Sequence, residues 1–235
     1  MPQMTMTVIP GTPNMLDVIE RYRKLYTGLV YDIMDEMGLP YQALATDLRP
    51  LRDDMVVAGP AFTVQGISDP VGDPGLRERR IKMFGDMRHP CIDVRDCAFD
   101  ARVAHYGEMN AVLGRAKGVV GAVIDGGIRD SGLILKMDFP CFRRYHSPVE
   151  AVARWSYYRW QQPITLRGSM SATVTCRPGD FIFGDIDGVL VIPQERMIEV
   201  LRLAEEHAAT ETRARAEFAD PAKDAEEVYG RYKKL

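Results

Sequence analysis

The sequence predicts an α/β fold with a central βαβαβ unit, a hairpin-rich β layer and a helical C-terminus. Three observations carry that prediction. The run at 119–125 (VVGAVID) is continuously apolar up to its last residue, as a strand buried on both faces of a parallel sheet would be. It lies between helical periodicities at 107–117 and 128–137, an alternation that implies right-handed crossovers. Further along, short β-patterned runs are separated by turns rich in Pro, Gly and Asp, which connect neighbouring strands as hairpins.

Taken in order, the apolar residues of 15–37 recur at helical spacing and stop at Gly38-Leu39-Pro40, and the pattern predicts two helices broken near Thr27-Gly28. A β-rich stretch at 55–65 contains Gly59-Pro60, which predicts a bulge or an edge position. A turn-rich loop at 69–73 leads into a charged helix at 75–84. The crossover unit then begins with a short strand at 90–95. Its first helix, 107–117, sets Met109, Val112, Leu113 and Ala116 on one face and stops at Gly118. The strand 119–125 ends at Gly126-Gly127, the second helix spans 128–137, and a strand at 139–142 closes the unit. Beyond an aromatic segment at 155–160, β patterning returns at 171–176, 181–184 and 189–192. A long amphipathic helix covers 194–217 and a charged helix 220–235.

Size and composition narrow the classes of function. A chain of 235 residues and 26.4 kDa can bury a sizeable core as one domain, and 46% hydrophobic with 27% charged residues belongs to a soluble globular protein. The expected organisation is a single domain over 1–235, with a core at about 27–213 and a helical tail at 194–235. A net charge of -3 offers no general attraction to nucleic acid or anionic membrane. Residues 1–14 lack the basic and apolar regions of an export signal, and no apolar run approaches the roughly 18 residues of a membrane span. Cys91, Cys97, Cys141 and Cys176 show no metal-ligand spacing and read as reduced thiols of a cytoplasmic protein.

Chemistry concentrates in the crossover unit. Strand ends and helix starts of such a unit share one sheet edge, where ligands collect. Glu108 opens the first helix, while Arg129 and Asp130 follow the next strand, in the spacing Glu-x20-Arg-Asp. The backbone N–H groups of Met109 and Asn110 at the helix start form an anion site, an arginine fork suits a carboxylate, and carboxylates with bound water suit Mg²⁺. Together they would hold a 2-oxo acid. The same residues also fit a purely structural account, with Glu108 complementing the helix dipole, Asp130 capping the following helix and Arg129 pairing with either.

Several segments taken together resemble one family. Gly107-Glu108, the run at 118–130 (GVVGAVIDGGIRD), Phe139-Pro140-Cys141-Phe142, Pro178-Gly179-Asp180 and Asp185-Ile186-Asp187-Gly188-Val189 are similar to signatures of the RraA-like family. So are 27–38 (TGLVYDIMDEMG) and 59–64 (GPAFTV). That family includes the 4-hydroxy-4-methyl-2-oxoglutarate / 4-carboxy-4-hydroxy-2-oxoadipate aldolases. The resemblance implies a swivelling β/β/α domain assembled as homotrimers or homohexamers. It also implies a divalent-metal-dependent class II pyruvate aldolase that cleaves a 4-hydroxy-2-oxo acid and decarboxylates oxaloacetate as a side activity. The family's D-x20-R-D motif assigns an acid that positions catalytic water, an arginine for the pyruvyl group and an aspartate for the metal. Here these become Glu108, Arg129 and Asp130, with Gly107, Met109 and Asn110 beside the substrate and Mg²⁺ or Mn²⁺ as cofactor. Glu108 is longer than the family's aspartate by one methylene. Other members of the family bind ribonuclease E and regulate it without this chemistry, the alternative function for this chain.

Remaining residues fall outside the constellation. Lys82, Lys117 and Lys136 lie on helices rather than emerging from strands as a Schiff-base lysine would, and no GxGxG loop supports a methyltransferase. His105, near the helix opening, is the histidine best placed for a proton role. Arg143, Arg144 and His146 fit either a second carboxylate site or an exposed basic loop. The aromatic and arginine-rich run 154–160 reads as a subunit contact. Asp180, Asp185 and Asp187 read as turn residues. In the family an acidic residue of a neighbouring subunit approaches the metal, and Glu211 is its candidate here.

Overall fold

The computed structural model describes residues 14–232. The expectation of a missing export signal at the N-terminus, and the last residues of the tail, lie outside the described residues.

Helices α1 (Met15–Tyr22) and α2 (Thr27–Glu36) are separated at 23–26, close to the expected break. Asp185 fixes where α2 begins: its carboxylate accepts from the backbone N–H of Thr27 at 2.8 Å and from its hydroxyl at 2.6 Å. After the short β1 (Arg49–Pro50), β2 (Val57–Ser68) runs through the middle of the main sheet. Gly59-Pro60 pairs with one neighbour alone, so the position is one-sided as expected, although β2 is not an edge strand of the sheet. It lies where β2 passes from an antiparallel partner, β10 (Phe181–Gly184), to the parallel partner β3 (Cys91–Asp96), so that Pro60 faces the first and Ala61 the second.

Helix α3 (Leu76–Asp86) links β2 to β3, and α4 (Glu108–Ala116) links β3 to β5 (Val119–Ile128) by way of the short β4 (Ala104–Tyr106). Helix α5 (Ser131–Lys136) leads to β6 (Cys141–His146). Strands β2, β3, β5 and β6 lie side by side and parallel, so the predicted βαβαβ unit is present and one further crossover precedes it. Gly126 and Gly127 do not end β5 as expected. A Cβ on Gly126 would meet His105 at 2.5 Å and one on Gly127 would meet Tyr145 at 2.4 Å, so these glycines keep β5 going past crowded neighbours while it pairs with β4. The next helix accordingly starts at Ser131 instead of Ile128.

The face of α4 also differs from its sequence pattern. Ala111 and Gly114 are buried, whereas Met109 is 64% exposed. A Cβ on Gly114 would stand 3.3 Å from Val119, so small residues bring this helix close to the sheet.

Segment 155–160 is a strand, β7 (Trp155–Trp160), paired antiparallel with β2. Trp155 and Tyr157 are 2% and 6% exposed and belong to the core on the α3–α4 side. These two rings belong to the core, so the expected subunit contact there falls to the outward side chains of the strand, of which Tyr158 is 53% exposed. On the opposite sheet face, Val57, Val94, Val123 and Phe142 pack against the hairpin of β8 (Ile164–Arg167) and β9 (Thr173–Cys176). Helices, main sheet and second β layer follow one another in the expected β/β/α order.

Strand β11 (Val189–Ile192) pairs with β10, and both are covered by α1, α2 and α6 (Met197–Phe218), with α7 (Ala225–Tyr232) against α6. Asp180 accepts from the backbone N–H groups of Arg177 and Gln194, and Asp185 from that of Asp187, the local role expected of turn aspartates. All four cysteines are buried free thiols. Among the described residues no helix is long and apolar enough to cross a membrane.

Candidate active site

A cavity of about 470 Å³ opens at the C-terminal ends of β4 and β5, between α3, α4 and the loop before β7. Arg129 and Asp130 line it together with Gly107, Met109 and Asn110 from the start of α4, so the structure brings together five of the six residues expected at the site. Glu108 stands between the lining residues Gly107 and Met109 along the chain, and its own side chain is not part of the wall.

Asp130 is held in an unusual conformation. Its backbone is left-handed, with φ of 57°, a region that costs most L-residues roughly 1–2 kcal/mol and that aspartate tolerates better than most. Its carbonyl accepts from the N–H groups of Leu133 and Ile134 and so starts α5, while its side chain makes no cap to that helix. The carboxylate turns instead toward α4, where Oδ2 accepts from the backbone N–H of Glu108 at 3.3 Å. The simple capping account of this residue therefore fails. Arg129 is tied into β4 by its N–H, which donates to the carbonyl of Tyr106 at 3.0 Å. Its guanidinium lies 3.6 Å from Asp130 Oδ2 and donates to Glu150 Oε1 at 3.1 Å.

Below the cavity runs a network that the sequence reading missed. Asp93 and Arg95 form a fully buried ion pair at 2.7 Å, and Arg95 also donates to the carbonyl of His105 and to the hydroxyl of Tyr157. The guanidinium stacks on Tyr106 at 4.6 Å and on Tyr157 at 5.2 Å. Arg95 thereby ties β3, β4 and β7 into one floor. Charged residues at alternate positions of a short strand were the available signal, because both would point to the same face.

His105 also lines the cavity, but its ring is buried. Nδ1 accepts from the backbone N–H of Gly127 at 3.2 Å, which leaves the ring proton on Nε2, 3.6 Å from Asp100. Burial lowers its pKa to about 4, so the imidazole is neutral near pH 7. Asp125, which precedes the two glycines, is buried as well, and desolvation raises its pKa. Its carboxylate accepts from the N–H of Arg167 and from Arg144.

The remaining candidates are committed elsewhere. Arg144 pairs with Asp47 and Asp125, Arg143 donates to His146, and the His146 ring meets the Ser131 hydroxyl. Glu211 is engaged by Tyr26 and Arg215 and lies outside the cavity wall. Lys82, Lys117 and Lys136 are exposed.

The family profile described as RraA-like: Aldolase/RraA matches residues 27–191, which include the whole crossover unit and the cavity wall. The chain belongs to the RraA-like family. A relative from Halalkalibacterium halodurans named "Putative 4-hydroxy-4-methyl-2-oxoglutarate aldolase" is 34% identical over 204 residues, covering 86% of this RraA-like chain and 89% of the relative. A crystal structure described as one of novel cellulases from microbes associated with the gut ecosystem is similar at 36% identity, with a TM-score of 0.80 and coverage of 89% and 90%. The Streptomyces coelicolor protein RraAS2, described as an unusual member of the RNase ES inhibitor RraA family, shares the RraA-like fold at 20% identity, with a TM-score of 0.72 and coverage of 85% and 96%.

Proposed function

We propose that this RraA-like chain is a lyase, a metal-dependent pyruvate aldolase that cleaves a 4-hydroxy-2-oxo acid and decarboxylates oxaloacetate as a second activity. The observation that carries this reading is the convergence of Arg129, Asp130 and the first turn of α4 on one cavity. The name of the Halalkalibacterium relative supports it.

Among the described residues no cluster of three or more His, Cys, Asp or Glu could hold a metal. A hard cation such as Mg²⁺ or Mn²⁺ needs one or two carboxylates and fills its other positions with water and substrate oxygens. Asp130 is the carboxylate that fits, partly exposed and oriented by the Glu108 amide. A divalent ion there supplies Lewis-acid polarisation of the 2-oxo group.

The chain's own groups do the rest. Arg129 binds the substrate carboxylate with its fork, helped by the N–H groups of Met109 and Asn110 at the helix start. Glu108, whose side chain stands beside the wall, would turn toward the cavity to hold a water that takes the proton from the 4-hydroxyl as the C–C bond breaks. Buried and neutral, His105 is the next candidate should Glu108 prove dispensable. Assembly into homotrimers or homohexamers belongs to the same reading and is measured by sedimentation.

The test is to assay both reactions with Mg²⁺ or Mn²⁺ and again with excess chelator. Activity must appear with the metal and vanish with the chelator. Arg129→Ala should chiefly raise KM, and Glu108→Gln should lower kcat with less effect on oxalate binding. Undiminished activity in chelator would overturn the metal role. Absence of any turnover, together with a stoichiometric protein partner, would replace the lyase with a regulator.

A further inference from the structure

Strand β4 carries one residue more than the stretch of β5 beside it. Ala104 faces Gly127 and Tyr106 faces Ile128, so His105 is the extra residue of a bulge. Its carbonyl is diverted from the ladder and accepts from Arg95 Nη1 at 2.9 Å. The imidazole supplies the missing acceptor instead, because Nδ1 takes the N–H of Gly127 at 3.2 Å. The backbone ladder then resumes, with the N–H of Arg129 donating to the carbonyl of Tyr106 at 3.0 Å.

The ring is held on three sides. A Cβ on Gly126 would stand 2.5 Å from Nδ1, so this glycine leaves the space in which the imidazole lies against β5. Trp155 meets it edge to face, with centroids 5.1 Å apart. Because Nδ1 accepts, the ring proton is on Nε2, which faces Asp100 Oδ1 at 3.6 Å. Asp100 is itself fixed by the backbone N–H groups of Arg102 and Val103. The ring therefore lines the cavity without offering it a free proton acceptor.

We infer that His105 is a positioning residue, whose Nδ1 fixes Gly127 and thereby places Arg129 and Asp130 for carboxylate and metal binding. This rests on the aldolase reading, and it adds what sets the geometry of that pair. Two successive glycines make β5 soft just before the site, since a glycine backbone resists displacement least. Ile128 alone separates Gly127 from Arg129 and is fully buried, so a shift of Gly127 is passed on to Arg129.

Asparagine and glutamine at position 105 separate the two ring nitrogens. The asparagine amide oxygen stands where Nδ1 stands, whereas the glutamine amide reaches the place of Nε2 and leaves that of Nδ1 to a methylene. Neither amide titrates, so a proton-transfer role would be lost in both. Three quantities are read on each protein: the exchange rate of the Gly127 amide by NMR, Mn²⁺ affinity from the paramagnetic resonance of the free ion, and kcat for oxaloacetate. His105→Asn should keep slow exchange, metal affinity and turnover. His105→Gln should exchange the Gly127 amide roughly tenfold faster, as expected for the loss of one hydrogen bond. It should also bind Mn²⁺ about 10- to 100-fold more weakly, with kcat falling by a similar factor. His105→Ala lacks the same acceptor and should repeat the glutamine result, which keeps the comparison open if the glutamine variant does not fold. Loss of kcat in both amide variants with metal affinity retained would make His105 a proton-transfer group and overturn the positioning role. Unchanged Mn²⁺ affinity in the glutamine and alanine variants would overturn it too, and either result leaves the aldolase reading standing. Mn²⁺ binding without turnover in the wild type would overturn the aldolase reading alone, with the metal affinities deciding the role of His105. A wild type that neither binds Mn²⁺ nor turns over would overturn both.

Discussion

A Cβ on Gly107 would stand 2.6 Å from Oδ2 of Asp130. The carboxylate rests where only a glycine leaves room, which ties the residue before α4 to the residue before α5. Because the backbone of Gly107 is extended, with φ of -154°, alanine is acceptable there to the backbone, and its Cβ would press on the Asp130 carboxylate and, at 3.3 Å, on Cγ of Arg129. Gly107→Ala should therefore move Asp130, with turnover falling roughly 100-fold, as expected for a shift of about 1 Å in a reacting group. The melting temperature should stay within a few degrees of wild type. Full activity would show that the position of the carboxylate is immaterial.

Asp130→Gly should separate stability from activity. Glycine takes the left-handed conformation without the cost that a Cβ brings, and this offsets the loss of the 3.3 Å hydrogen bond to Glu108. Stability should remain within about 1 kcal/mol of wild type while metal-dependent turnover falls to background. Thermal melts and chelator-controlled assays on one preparation give both answers.

Glu150 occupies Arg129 much as a substrate carboxylate would. The pair is half-exposed and is worth at most about 1 kcal/mol, so Glu150→Gln should lower KM, or tighten oxalate binding, by no more than about fivefold. The gain should shrink as salt is added, because screening weakens the competing pair. A raised KM would mean that Glu150 contributes to binding.

His105 makes stability depend on pH. Its folded pKa of about 4 lies below the ordinary value of 6.5 because burial disfavours the charged ring. The unfolded chain takes up the proton first, so this contribution is fully present above about pH 6.5 and is lost as pH falls toward 4. By pH 5 the loss is about 2 kcal/mol, equivalent to roughly 4–8 °C in melting temperature for a chain of this size. Relative to His105→Gln, the wild type should lose stability more steeply between pH 7 and pH 5. Parallel curves would place the proton on another group.

Periodicity and turn chemistry determined the order of the crossover unit, the β10–β11 hairpin and the long C-terminal helix, because these depend on local alternation of apolar and polar residues; the turn at 177–180, expected to close a hairpin, instead carries the chain from one sheet to another, since β9 pairs with β8. The spacing of Glu108, Arg129 and Asp130 marked one sheet edge, because crossover topology leaves few places for such residues. Tertiary structure decided the rest. Whether Gly126-Gly127 ends a strand or extends it depends on His105 and Tyr145 crowding from neighbouring strands. Whether Trp155 and Tyr157 face a partner or the core depends on β2 pairing with a segment about ninety residues away. The direction of the Asp130 carboxylate and the Asp93–Arg95 floor both arise from contacts between residues distant in the chain, and local pattern carries no information about which distant backbones meet.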